Sequence, residues 1–142
     1  MDYTDLSREF LKIIFRFYRV KQQKLLNSAM QGEAFALLYI AQHDDEVVPS
    51  DVENEMCISS ARTAAVLNGL ENKKLITRRI DSNDRRRTIL KLTPEGEEQA
   101  AKSTDQLLDL GNKMLEFLGE NDAGEYVRIM GRLAGWCGDE NE

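Results

Sequence analysis

Residues 59–96 read SSARTAAVLNGLENKKLITRRIDSNDRRRTILKLTPEG, and the order of signals in this stretch decides the fold. Ser59-Ser60 offers a helix N-cap, because a serine oxygen can accept a backbone N–H left unpaired in the first turn. Thr63, Val66, Leu67 and Leu70 then recur at i, i+3, i+4 and i+7, which marks one buried stripe of a helix. After Asn72 the pattern changes. Leu75 to Asp81 and Arg87 to Thr93 are runs rich in Ile, Leu, Thr and Arg, divided by the polar turn Ser82-Asn83-Asp84-Arg85-Arg86. They read as a β-hairpin, with Leu90 and Leu92 alternating against Ile89 and Lys91 as in a half-buried strand. Thr93-Pro94-Glu95 restarts a helix with a Thr cap, Pro at the first helical position and acid in the first turn.

Upstream, Ser50 with Glu53 three positions later reads as a capping box that opens a helix of about two turns. Two short helices, the second starting at a Ser cap, are the layout of a helix-turn-helix. The hairpin that follows makes it a winged helix. Residues 33–42 predict a short, very apolar helix that stops before His43-Asp44-Asp45-Glu46. Residues 5–26 predict one long helix with two apolar faces, Leu6, Phe10, Ile13, Phe17 and Val20 on one and Leu11, Ile14, Phe15 and Tyr18 on the other. A helix apolar on two sides needs two surfaces to pack against, and one is expected to be a second copy of the chain. The helix opened at Thr93 continues to about Leu118, and a last helix carries Tyr126, Ile129, Met130, Leu133 and Trp136 on one stripe. The expected fold is mainly α with a small β-hairpin wing.

The chain has 142 residues, 42% hydrophobic and 31% charged, which suits one globular domain. Its longest apolar run, Ala34 to Ala41, is far short of the ~20 residues that span a bilayer. The acidic start Met1-Asp2-Tyr3-Thr4-Asp5 does not resemble a signal peptide, and two cysteines are too few for a disulfide framework, so a cytoplasmic location is expected. The net charge of −6 taken alone argues against nucleic acid. Its distribution argues the other way. Residues 1–26, 27–58, 59–92 and 93–142 carry +3, −7, +6 and −8, so one basic block sits inside an acidic body.

The helix in that block tests what the charge is for. With Thr63, Val66, Leu67 and Leu70 inward, a step of about 100° per residue turns Ala61, Ala65, Asn68 and Asn72 outward, flanked by Arg62 and Ala64. A small, largely uncharged face suits close approach to base edges in the major groove. Ala methyls meet thymine methyls, Asn pairs with adenine and Arg pairs with guanine.

Asp84 to Gly96 fits the pattern D-x-R-x5-L-T-x2-G throughout, and Leu70-Glu71-Asn72-Lys73-Lys74-Leu75-Ile76 resembles L-E-x-K-G-L-[IV]. These are the wing signature and the helix-to-wing join of the MarR (multiple antibiotic resistance regulator) family, which the chain resembles over roughly residues 30–100. The resemblance implies a homodimeric DNA-binding transcription regulator, usually a repressor of nearby genes released by a small-molecule effector. It implies a single domain over 1–142, with a DNA-binding lobe at 29–96 and dimerisation helices at 1–28 and 97–142. Ser60 to Asn72 would be the recognition helix, reading DNA through Ser60, Ala61, Arg62, Ala65 and Asn68. Asp84 and Arg86 would pair to stiffen the wing, with Arg85, Arg86 and Arg87 as candidates for backbone or minor-groove contact. Two departures stand out. Lys74 occupies a position where the family usually has Gly, and Ala65 one where many members carry a longer polar residue.

The expected partners are a pseudo-palindromic double-stranded DNA operator, a second copy of the chain, and a small aromatic effector, with no membrane. Phe10, Phe15, Phe17, Tyr18, Phe35 and Tyr39 are expected in the core first and are candidates to line an effector pocket second. His43, the only histidine, reads as a cation at a helix end rather than a metal ligand or catalytic base, so no metal, cofactor or enzymatic activity is expected. Cys57 reads as a small buried core residue and Cys137 as a partly exposed thiol. Two rivals remain: a winged-helix protein-interaction module that never meets DNA, and a regulator that senses oxidants through Cys57 or Cys137.

Overall fold

In the computed structural model, which describes residues 1–29, 31–43 and 45–136, helices and one hairpin follow each other much as the sequence implies. They are α1 (Thr4–Phe17), α2 (Lys21–Ala29), α3 (Gly32–Gln42), α4 (Pro49–Met56), α5 (Ser60–Asn72), β1 (Ile76–Ile80), β2 (Thr88–Leu92), α6 (Pro94–Leu118) and α7 (Glu120–Ala134). The chain divides into two units, Met1–Leu107 and Leu108–Glu142, with the boundary inside α6.

The long helix expected over 5–26 is broken at Tyr18-Arg19-Val20. There the hydrogen bonds tighten to i→i−3, Arg19 N–H to Arg16 O and Val20 N–H to Phe17 O, before Lys24 N–H to Val20 O opens α2. The sequence explains why the break is cheap. Lys21-Gln22-Gln23-Lys24 carries no apolar stripe, so redirecting the chain toward α3 forfeits little burial.

The start of α4 also differs. Val48 is its N-cap, Pro49 takes the first helical position, and Asp51 Oδ2 accepts the Val48 N–H at 2.9 Å. Ser50 is therefore inside the helix, because the fixed φ of Pro49 already starts the turn. Glu53, released from the expected capping box, accepts the Ser60 hydroxyl at 2.6 Å instead.

The first unit is built around α5. Leu67, Leu70, Ile76 and Val52 are wholly buried, with Ala36, Leu37, Ile40, Val47, Leu90 and Ala100 packed about them. Each such Leu, Ile or Val contributes about 1.5–3 kcal/mol relative to exposure. Of the stripe expected for α5, Thr63, Leu67 and Leu70 are buried and Val66 half-buried. The two strands pair antiparallel with Ile76 opposite Leu92, Arg78 opposite Leu90 and Ile80 opposite Thr88. Val47 adds a bridge to Leu90 that no sequence signal announced. Ile89 is buried as well as Leu90, so β2 is covered on both faces there.

The wing is locked to α6 through the residues of the L-T-x2-G pattern. Thr93 N–H donates to Leu75 O at 3.0 Å, its hydroxyl donates to Lys74 O at 2.7 Å, and Thr93 Oγ1 accepts the Gly96 N–H at 3.0 Å. A Cβ on Gly96 would fall 2.0 Å from Leu75 O, so only glycine allows this approach. Lys74 adopts φ +60°, the left-handed conformation that favours glycine, the residue the resemblance implies at this position.

Much apolar surface stays open. On α1, Leu6, Phe10, Leu11, Ile13, Ile14 and Phe15 are exposed, as is Tyr18 just past its end, so these aromatics are not core in the single chain. In the second unit, Val127, Ile129, Met130, Leu133 and Trp136 are exposed. Cys57 is also exposed and takes φ +52° at the end of α4, against the buried position expected for it. That residue must turn the chain between α4 and α5, a place on the surface. Cys137 lies outside the described residues.

Candidate nucleic-acid interface

The candidate surface is α5 and the wing. Ser59 caps α5, its Oγ accepting the Arg62 N–H at 3.2 Å while its carbonyl takes the Thr63 N–H and hydroxyl. These bonds fix the first turn, from which Ser60, Ala61 and Arg62 project. Ala61, Arg62, Ala64, Ala65, Asn68 and Asn72 are all exposed, as the helical step requires of residues opposite the buried stripe. No large apolar side chain lies among them. The Ser60 hydroxyl is spent on Glu53, which ties α4 to the start of α5.

The wing tip is shaped by two aspartates. Asp81 Oδ1 accepts the Asn83 N–H and Asp84 Oδ1 accepts the Arg86 N–H, both at 3.0 Å, and each bond closes a local turn. Arg87 N–H to Asp84 O at 3.0 Å and Asp81 N–H to Arg87 O at 2.8 Å complete the loop. Arg85 and Arg86 stand exposed at the tip and, like Arg62, make no ion pair among the described residues.

Charge within the wing is arranged differently from what the family pattern implies. Asp84 receives the backbone of Arg86, not its guanidinium. The ionic clamp is one residue along: Arg87 Nη1 lies 3.3 Å from Asp81 Oδ2 and 2.7 Å from Glu46 Oε2. Asp81 is only 8% exposed, so its charge depends on this partner. The Asn83 N–H and the Arg87 guanidinium hold its carboxyl below the ordinary carboxylate range, and Asp81 and Glu46 in turn raise Arg87. Arg87 is thus turned toward the protein body, away from the row formed by Arg85 and Arg86.

One residue of the surface escaped the sequence reading. Arg78 on β1 shares a face with Ile76 and reaches α5, where Nη2 donates to Asn68 Oδ1 at 2.7 Å and Nε lies 3.1 Å from Glu71 Oε2. The signal was the period of two from the buried Ile76, obscured because Arg78 and Arg79 adjoin. At the far end of α5, Lys73 pairs with Glu33 of α3. The outward face is therefore held from both wing and core.

A family model described as "Winged helix DNA-binding domain" matches residues 33–110, more than half of the chain and the whole of this surface. The chain belongs to the winged helix DNA-binding family. Among members of known name, it is 37% identical over 113 residues to the HTH-type transcriptional regulator FarR of Neisseria gonorrhoeae, covering 77% of this chain and 73% of that one. It is 28% identical over 97 residues to the uncharacterised HTH-type regulator YdgJ of Bacillus subtilis, covering 68% of this chain but only 59% of that protein. The fold matches the crystal structure of BpsR from Bordetella bronchiseptica with a TM-score of 0.68 at 17% identity, over 96% of this chain and 99% of that one. This winged helix protein is accordingly a DNA-binding transcription regulator, and its named relatives are regulators rather than enzymes. Among the described residues no group of three His, Cys, Asp or Glu is placed to hold a metal ion, and no helix is long and apolar enough to cross a membrane. His43 donates its Nδ1–H to Tyr39 O at 2.7 Å and rests on the Tyr39 ring, which is a local closure of α3.

Proposed function

We propose that the protein acts as a cytoplasmic homodimer that represses nearby genes by holding a pseudo-palindromic operator. The observation that carries this reading is a small, open α5 face beside two wing-tip arginines that make no ion pair among the described residues. Ala61, Arg62, Ala65 and Asn68 would meet base edges in the major groove, while Arg85 and Arg86 would reach phosphates or the adjacent minor groove. Arg87, already bound to two carboxylates, would serve the wing's shape first. The exposed apolar residues of α1 and α7 support the second copy, because such surfaces are rarely left open in a soluble monomer. A dimer would place two α5 helices in successive major grooves, about 34 Å apart. A small aromatic effector would release the operator; BpsR, whose DNA binding is regulated by 6-hydroxynicotinic acid, supports that class.

A gel-shift titration against salt on the gene's upstream region tests the reading. Affinity should fall steeply with log[salt], and Arg85→Ala with Arg86→Ala should reduce the slope by about 3–4, since the dimer carries two copies of each arginine and each neutralised phosphate contributes roughly 0.9. No salt-sensitive binding, or binding indifferent to both substitutions, would overturn this reading, and absence of binding would favour the protein-interaction reading. The exposed Cys57, at the turn that sets the start of α5, favours a second mode of release by thiol oxidation. Peroxide release that persists in Cys57→Ser with Cys137→Ser would exclude it.

A further inference from the structure

We infer that Asn68 reads guanine rather than adenine, because Arg78 holds its amide in a single orientation. The inference rests on the operator-binding reading above and concerns its base preference. A guanidinium carries only donors, so the Asn68 atom 2.7 Å from Arg78 Nη2 is the carbonyl oxygen Oδ1. Glu71 Oε2, 3.1 Å from Arg78 Nε and one helical turn from Asn68, keeps the guanidinium in place from its other side. An asparagine pairs with adenine by accepting from N6 and donating to N7, which requires a free Oδ1. Here Oδ1 is engaged, and any base amino group brought to its second lone pair would also face the Arg78 cation. The edge left to the groove is the Nδ2 amide, which only donates. In the major groove guanine presents two adjacent acceptors, N7 and O6, whereas adenine sets an amino donor beside N7 and cytosine presents an amino donor alone. The positive charge behind the amide acts in the same direction. Arg78 is thus a positioning residue for specificity, carried on the wing but acting through the recognition helix.

Selection from a randomised duplex library identifies the position of each half-site whose preference Asn68→Ala relaxes; guanine is expected there for the unaltered protein. Replacing it with 7-deazaguanine, which lacks only the N7 acceptor, should weaken the unaltered protein roughly three- to tenfold, as for one hydrogen bond, and leave Asn68→Ala unaffected. Asn68→Asp keeps the bond from Arg78 but removes the amide donors, and should lose the guanine preference. Arg78→Ala frees the amide and should move the preference toward adenine at that position alone. Adenine at that position in the unaltered protein, or an Arg78→Ala variant weakened equally toward all four bases, would overturn the inference while leaving operator binding intact. So would an Asn68→Ala variant that relaxes no position. Failure of the unaltered protein to select any duplex would instead count against operator binding itself.

Discussion

Substituting Gly96 by alanine sets two physical expectations against each other. In a helix, alanine is favoured over glycine by roughly 0.5–1 kcal/mol, so local propensity alone predicts a more stable protein. The tertiary geometry predicts the opposite. The new Cβ would stand 2.0 Å from Leu75 O and 2.9 Å from Leu75 C, backbone atoms that no side-chain rotation can move aside. Carbon and oxygen settle at about 3.3–3.6 Å even in their closest favourable contacts, so α6 and the wing base must part by roughly 1.3 Å. Such a shift stretches the three bonds centred on Thr93, now 2.7 to 3.0 Å, beyond useful length. Overpacking costs about 1–3 kcal/mol and a lost cap about 1 kcal/mol, leaving a net destabilisation of about 2–3 kcal/mol after the propensity gain. Urea unfolding followed by circular dichroism, at one protein concentration because association contributes to stability, would show the midpoint falling by roughly 1–2 M. Glu98→Ala, on the exposed side of the same helix, should stay within about 0.5 kcal/mol. A Gly96→Ala protein as stable as the parent would refute the reasoning, since the close approach would then be free to relax.

Lys74→Gly should stabilise the fold by about 0.5–1 kcal/mol, because relief of the strain at φ +60° exceeds the chain entropy glycine adds; unchanged thermal and urea midpoints would argue that Lys74 is unstrained. The native carboxyl of Asp81 is held below its ordinary range, so its contribution is present above about pH 4 and is lost as pH falls through its depressed native value. Asp81→Asn should flatten that part of the acid-unfolding profile, and an unchanged profile would remove Asp81 from the wing clamp. Arg87→Ala should lower stability and leave the salt slope of DNA binding nearly intact, while Arg86→Ala, lost from both protomers of the dimer, should lower the slope by about 1.8 at constant stability. The reverse assignment would mean that Arg87 points to DNA and Arg86 supports the wing.

Those contrasts trace where the sequence was informative. The start of α5 at its Ser cap, its buried stripe, the hairpin, and the Thr-Pro opening of α6 were legible because each depends on residues within a few positions of one another. The wing pattern pointed to the family on the same ground, and Gly96 in it marks the close approach to the Leu75 backbone. Reading failed where local signals competed or partners were distant. Ser50 offered a cap for α4, but Pro49 at the first helical position set the start earlier, with Val48 as the N-cap. The stripe of α1 continued as far as Val20 on paper, but a polar segment let the chain turn away.

The periodicities, caps and turn chemistry of residues 59–96 were sufficient to determine a helix-turn-helix with a wing and the outward face of α5, since contacts one turn or one strand residue apart are written in order along the chain. Which arginines stay open and which are tied to carboxylates was decided only when distant elements came together. Arg87 is one of three consecutive arginines, and nothing in their order distinguishes it; Glu46, 41 positions away, and buried Asp81 turn it inward. Arg78 is held to Asn68 across the join from helix to wing in the same manner. A side chain's partner depends on where separate elements settle in space, and that is a property of packing rather than of spacing.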